Sequence, residues 1–152
     1  MPIFYRIVAS HRAATALDGE GARKMGGRWN PQGVPAAYLT DSRALAALEI
    51  MVHFGRNVAE ASWTVVEVDV PDDLIDFASL RKLPAGWDDR ASTTLSQQFG
   101  TRWLREGKSM AILLPSAVIP EERILMLNVQ HPDFVKIKAA KPRKFLFDRR
   151  LG

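Results

Sequence analysis

The 152-residue chain contains no cysteine, which excludes disulfides and any metal site built on thiolates. Histidine is scarce as well, with His11, His53 and His131 making three in all. No apolar stretch approaches the roughly 20 residues that would span a bilayer. The segment MPIFYRIVAS lacks the basic flank and long apolar run of a secretory signal, so a cytoplasmic location is expected. Dinucleotide fingerprints of the Gly-x-Gly-x-x-Gly kind are absent, as is a Gly-x-Ser-x-Gly elbow, which removes a hydride-carrying site and a serine hydrolase of that type.

What is present fits one globular domain over residues 1–152. The chain is 47% hydrophobic and 25% charged, average values for a protein that buries a core. Net charge is +4 and uneven. Seven basic residues, Lys136, Lys138, Lys141, Arg143, Lys144, Arg149 and Arg150, lie in the last stretch against one acid, Asp148. Such a cluster binds nucleic acid or an acidic partner in some proteins and is a solvated terminal segment in more. Phe145 and Phe147 alternate with charge there, the pattern of an edge strand docking one apolar face. A nucleic-acid-binding module is the reading of a different class, but no helix-turn-helix pattern, zinc site or aromatic platform supports it.

The order of elements predicts an α+β fold rather than a doubly wound sheet. Strands are expected over Ile3–Val8, Ala36–Leu39, Trp63–Val70, Ala111–Leu114 and Ile124–Leu127. Trp63–Val70 alternates as a half-buried strand does. Residues 10–25 read as partly helical, broken by Gly19 and Gly21. Asp41 or Ser42 caps a helix from Arg43 to Phe54. A second helix over Thr93–Glu106, with Leu95, Phe99, Trp103 and Leu104 at helical spacing, ends at Gly107. Pro71-Asp72-Asp73 is a turn, followed by a loop-rich stretch to about Arg90.

Three features carry chemistry. Glu49 sits in Ala44-Leu45-Ala46-Ala47-Leu48-Glu49-Ile50-Met51-Val52, a helix apolar on every side. A carboxylate there is either paired, with Arg6 and Arg28 the candidate partners, or held ready for function. His53 shares its face one turn on, but three histidines and no third ligand nearby leave little for a metal. The loop Gly26-Gly27-Arg28-Trp29-Asn30-Pro31 joins two glycines, which let backbone approach a ligand, to an arginine whose planar fork suits phosphate or carboxylate. No Gly-Lys-Ser/Thr follows this loop, so it is not a phosphate-binding P-loop. Ser116, just beyond a buried strand, is a hydroxyl placed to hydrogen-bond or cap.

Taken in order, these pieces resemble the RES domain. The loop Gly26–Pro31, Gly33, Ala37-Tyr38 and Ala46–Glu49 look like its amino-terminal signature. Trp103-Leu104, Pro115-Ser116-Ala117-Val118, Asn128 and His131-Pro132-Asp133-Phe134 look like its carboxy-terminal half. Val129 departs from the pattern, standing where proline is expected after the asparagine. The arginine, glutamate and serine that name the family fall on Arg28, Glu49 and Ser116. The resemblance implies a fold similar to ADP-ribosyltransferases of the diphtheria-toxin type, with short strands in a split central sheet and flanking helices. It implies the toxin of a type II toxin–antitoxin pair, consuming NAD⁺ as substrate with no cofactor or metal. ADP-ribose would go to water or to a protein acceptor such as an enzyme of nucleotide-precursor synthesis. The partner implied is an Xre-like antitoxin that occludes the NAD⁺ site, with no membrane or direct nucleic-acid contact. On this reading Glu49 steadies the ribosyl cation, and Arg28 holds a phosphate or ribose oxygen. Tyr38 stacks on nicotinamide, Ser116 and Asn128 orient the sugar or Glu49, and Arg6 contacts the dinucleotide.

Overall fold

A computed structural model describes residues 2–151. Eight strands form one sheet in the order β4-β5-β6-β2-β1-β3-β7, with β8 also on β3. They are β1 (Ile3–Ala9), β2 (Ala37–Thr40), β3 (Trp63–Asp69), β4 (Ile75–Asp76), β5 (Ala111–Pro115), β6 (Arg123–Leu127), β7 (Lys138–Ala139) and β8 (Arg143–Phe145). Three α-helices join them: α1 (Glu20–Met25), α2 (Arg43–Phe54) and α3 (Thr94–Glu106). The pair β4–β5 is parallel and the other strand pairs are antiparallel, so the sheet is not doubly wound. No helix among the described residues is long and apolar enough to cross a membrane.

The sheet has a seam. β1 pairs with β3 along seven residues and β2 with β6 along four, but β1 and β2 register only at Tyr5 and Thr40. Past that pair the strands diverge, and the Tyr38 carbonyl accepts from Arg6 Nη1 at 3.0 Å. A side chain thus satisfies a main-chain acceptor that a regular ladder would have served.

Strand alternation divides the apolar side chains between two faces. Phe4, Ala37, Leu39, Val66, Val68, Leu125 and Leu127 form the core on one side. On the other side Ile112, Leu114, Ile124 and Met126 pack with Trp29, Leu45, Trp103 and Leu104, while Ile7, Trp63 and Val65 pack with Ala46, Val58 and Phe147. Helix α2 bridges these last two clusters, Leu45 entering one and Ala46 the other. Ser42 caps it, its hydroxyl accepting from the Leu45 N–H at 3.1 Å.

Several expectations need correction. Gly21 does not break a helix but lies inside α1, whereas Gly19 caps it at φ 76°. Trp63–Asp69 is covered on both faces over much of its length, because β3 has α2, Phe145 and Phe147 on one side and the main core on the other. The short strand β4, two residues in the stretch read as loop, was not legible from periodicity. Leu95 is exposed, and the buried stripe of α3 is Ser96, Gly100, Trp103 and Leu104. The basic carboxy-terminal segment does supply an edge strand: Phe145 packs on the core and Phe147 is buried within it. Arg143 pairs with Glu67, Lys136 with Asp133 and Arg150 with Asp148, which offsets part of its charge.

Candidate active site

Glu49 lies one turn beyond the fully buried Leu45, so α2 carries it on the face turned toward β5 and β6. That helix is apolar all round but not enclosed all round, since Leu48, Val52 and Phe54 are exposed. The carboxylate therefore sits at the rim of a core, partly open to solvent. Ser116 follows β5 in the alternation of Ile112 and Leu114 and points to the same side. Its buried hydroxyl donates to Glu49 Oε1 at 2.9 Å and accepts from the Val118 and Ile119 N–H groups at 3.0 and 3.1 Å. Two backbone dipoles polarise the hydroxyl, which strengthens its donation to the carboxylate. They also occupy the oxygen's lone pairs, so Ser116 is an orienting group and not a nucleophile.

The ion pair weighed for Glu49 is absent among the described residues. Arg6 is taken by the Tyr38 carbonyl. Arg28 donates from Nη1 to the carbonyls of Trp87 and Asp89 at 3.3 and 2.8 Å. Among the described residues no cation stands against the Glu49 carboxylate, and a hydroxyl fixes one of its oxygens.

Tyr38 projects from β2 to the Glu49 side of the sheet and packs against the same core. Its hydroxyl donates to Asn30 Oδ1 at 2.6 Å, and burial pushes the phenol well above its ordinary pKa. Asn30, fully buried, uses its amide protons on the carbonyls of Ala22 and Val34 at 2.9 Å each. The Arg28 loop is therefore sewn to β2 through one carboxamide. Gly27 is required by this packing: a Cβ there would lie 2.7 Å from Asn30 Oδ1 and 3.2 Å from the Tyr38 ring. The space its missing side chain leaves is filled by protein, not left for a ligand.

Arg6 lines a cavity of about 360 Å³ together with Arg12, Lys24, Asp18 and Glu20. Burial lowers the pKa of its guanidinium, Asp18 opposes that shift, and Nε has no partner among the described residues. Glu49, Tyr38 and Arg28 do not line this cavity. Asn128 is placed elsewhere. Pro115, the residue before Ser116, pairs with Arg123 at one end of β6, and Asn128 follows Leu127 at the other. That separates Asn128 from Ser116 by about 20 Å of strand. The Asn128 amide is committed to the Leu104 carbonyl and the Gln130 N–H. Sequence reasoning missed Asn30 as the organiser of the loop, and also Ser96, Gln97 and Gly100 on α3, whose contacts are with loop backbone. Asn30 stood inside the quoted motif. The α3 residues left no local signal beyond a small-residue spacing of four.

Known proteins resemble this chain in sequence and in fold. The model of the RES domain matches residues 3–148. A Prs ADP-ribosylating toxin of Sphingobium sp. (strain YBL2) is 40% identical over 153 residues, covering 97% of this chain and 95% of that protein. A protein named Toxin Res from Photorhabdus laumondii is 34% identical, covering 98% of this chain and 96% of that one. The NAD(+) phosphorylase MbcT of Mycobacterium tuberculosis is 44% identical over 64 residues, 41% of this chain and 31% of MbcT. A solved M. tuberculosis MbcT–MbcA toxin–antitoxin complex superposes with a TM-score of 0.78 at 23% identity, covering 95% of this chain and 84% of the matched chain, a likeness of fold. With the family model spanning almost its whole length and relatives of this identity aligned from end to end, the chain belongs to the RES-domain family.

Proposed function

We propose that the chain is a toxin that breaks the nicotinamide–ribose bond of NAD⁺. The observation that carries this reading is the Glu49 carboxylate, free of any cation among the described residues and held by Ser116 at 2.9 Å. Cleavage of that bond develops positive charge on the ribose. A carboxylate already oriented, and not neutralised by a neighbour, stabilises that charge with little reorganisation, a term worth ~10²–10³ in rate. A charge of this kind would be wasteful in a purely structural role. Tyr38 offers its ring to nicotinamide from the same face. Arg28 offers its remaining guanidinium donors to a phosphate or ribose oxygen, while Arg6 lines a separate cavity with Asp18 and Glu20 that these residues do not share, and is left out of this arrangement. Asn128 takes no part in this arrangement, since its amide is spent on backbone at the far end of β6. NAD⁺ is the substrate, and no cofactor or metal is required.

The fate of ADP-ribose divides the reading. Transfer to a protein target, such as an enzyme of nucleotide-precursor synthesis, is favoured by the full-length similarity to a Prs ADP-ribosylating toxin. Release to water or phosphate, which depletes NAD⁺, is favoured by the shorter similarity to an NAD(+) phosphorylase. A chain of this activity needs restraint in the cytoplasm that makes it. The likeness to a toxin captured with its antitoxin supports an antitoxin partner, which we take to be Xre-like and to cover the NAD⁺ site. The test is to incubate purified protein with NAD⁺, with and without phosphate and a cell extract, and follow nicotinamide, free ADP-ribose and labelled protein together. No nicotinamide under any of these conditions overturns the reading.

A further inference from the structure

Arg28 is the residue of this site with the least support from its own neighbourhood. It sits in a loop of glycines, with no helix or strand fixing its backbone. Its carbonyl, however, accepts from the hydroxyl of Ser96 at 2.5 Å, across 68 positions of sequence. The preceding carbonyl, of Gly27, accepts from Gln97 Nε2 at 2.8 Å. The following residue, Trp29, lies against Gly100 so closely that a Cβ on Gly100 would stand 1.7 Å from the Trp29 carbonyl oxygen. Three consecutive loop residues are thus gripped by one face of α3 through Ser96, Gln97 and Gly100. Ser96 and Gly100 are both buried, and the Arg28 side chain itself bonds to other acceptors, the carbonyls of Trp87 and Asp89.

A helix that only filled the core would present apolar side chains here, as α3 does at Trp103 and Leu104. It presents instead a hydroxyl, a carboxamide and a bare Cα, each matched to a main-chain carbonyl. We propose that α3 is the element that sets the position of Arg28, with Ser96 and Gln97 as positioning residues for substrate binding. This inference rests on the proposed role of Arg28 toward NAD⁺. Loss of either hydrogen bond lets the loop carbonyls turn toward water and carries the Arg28 Cα with them, while Glu49 and Ser116, which hang from α2 and β5, stay in place. The consequence is a specific one: weaker NAD⁺ binding with the chemical step intact.

The experiment compares Ser96→Ala, Gln97→Glu, Arg28→Lys and the double variant Ser96→Ala/Arg28→Lys. Readouts are KM and kcat for nicotinamide release, thermal melts, and NAD⁺ titrated calorimetrically into each variant in a Glu49→Gln background that does not turn over. Ser96→Ala and Gln97→Glu should each raise the NAD⁺ KM and Kd roughly tenfold, the worth of one lost hydrogen bond, and leave kcat within about twofold. The double variant should bind no more weakly than Arg28→Lys alone, because both changes act through one contact. Gln97 is partly exposed, so its variant reports on the clamp even if Ser96→Ala folds poorly. If Arg28→Lys weakens NAD⁺ but both α3 variants bind as the parent does, or if their effects add to that of Arg28→Lys, the clamp is wrong and the function stands. If Arg28→Lys binds NAD⁺ as the parent does, the reading of Arg28 falls, and this inference falls with it.

Discussion

Helices α2 and α3 are of nearly equal length, Arg43–Phe54 and Thr94–Glu106, and both flank the same core, yet they serve the site in opposite ways. α2 is apolar by composition and contributes one charged side chain, Glu49, to a site it otherwise leaves alone. α3 has much the more polar composition and contributes backbone-directed contacts, gripping Gly27, Arg28 and Trp29 without offering a group to the substrate. On the proposed reading, one helix supplies chemistry and the other supplies geometry. The difference explains why Glu49 stands out in the sequence and Ser96 does not. A carboxylate in an apolar run violates its surroundings, whereas a serine in a polar helix violates nothing.

The sharpest test of that division removes the charge from α2. Glu49→Gln keeps the volume and an acceptor for the Ser116 hydroxyl. NAD⁺ turnover should fall at least ~10²-fold, because the ribosyl cation loses its counter-charge. Stability should hardly change, since no arginine is stranded when the charge goes, and thermal melts should agree with the parent within a few degrees. A variant that melts far lower yet turns over NAD⁺ normally per folded molecule would make Glu49 a structural residue.

On α3 the corresponding change is Gly100→Ala. The new methyl cannot fit against the Trp29 carbonyl, so helix or loop must shift, an overpacking cost of about 1–3 kcal/mol. For a chain of this size each kcal/mol lowers the melting temperature by roughly 2–4 °C. The division between the helices also requires the NAD⁺ KM to rise while kcat holds. A fall in kcat with unchanged KM would mean that α3 acts on the chemistry after all.

Much of the frame was legible in the sequence, for physical reasons that mark its limits. Strands such as Trp63–Asp69 and β6 show because β-branched and aliphatic runs stop at turn residues, and α2 shows because Ser42 and its apolar run give both a cap and a period. Ser116 is expected to orient either the sugar or Glu49, and in the structure its hydroxyl bonds to Glu49. Burial on both faces of β3 was hidden, because alternation reports what one strand could bury and not how many layers cover it. The clamp was hidden more deeply. Its acceptors are main-chain carbonyls, which every residue has, so Ser96 and Gln97 carry no mark of what they bind. Asn128 runs in the other direction: the resemblance points it toward the site, while its amide serves Leu104 and Gln130.

That placement gives a test of intermediate size. Asn128→Ala strands the buried Leu104 carbonyl and frees the Gln130 N–H, which should cost about 1–3 kcal/mol. Ser116→Ala, at the other end of β6, removes the hydrogen bond to Glu49 and should lower kcat by about tenfold or more for a comparable loss of stability. Equal effects on kcat from the two variants would dissolve the distinction between the ends of the sheet.

The smallest effect concerns the start of α2. The Ser42 hydroxyl accepts from the Leu45 N–H, so Ser42→Ala leaves one amide of the first turn without its cap. Loss of such a cap costs about 1 kcal/mol, a drop of roughly 2–4 °C in melting temperature. Fraying should be confined to that turn, because Leu45 and Ala46 anchor the helix in two clusters and Glu49 is tied independently to Ser116. If α2 serves the site only by presenting Glu49, kcat and KM per folded molecule should both match the parent, and this change should separate stability from activity more cleanly than any on α3. A kcat reduced in proportion to the loss of the cap would show that the carboxylate depends on the whole helix for its aim, and that α2, like α3, supplies geometry as well.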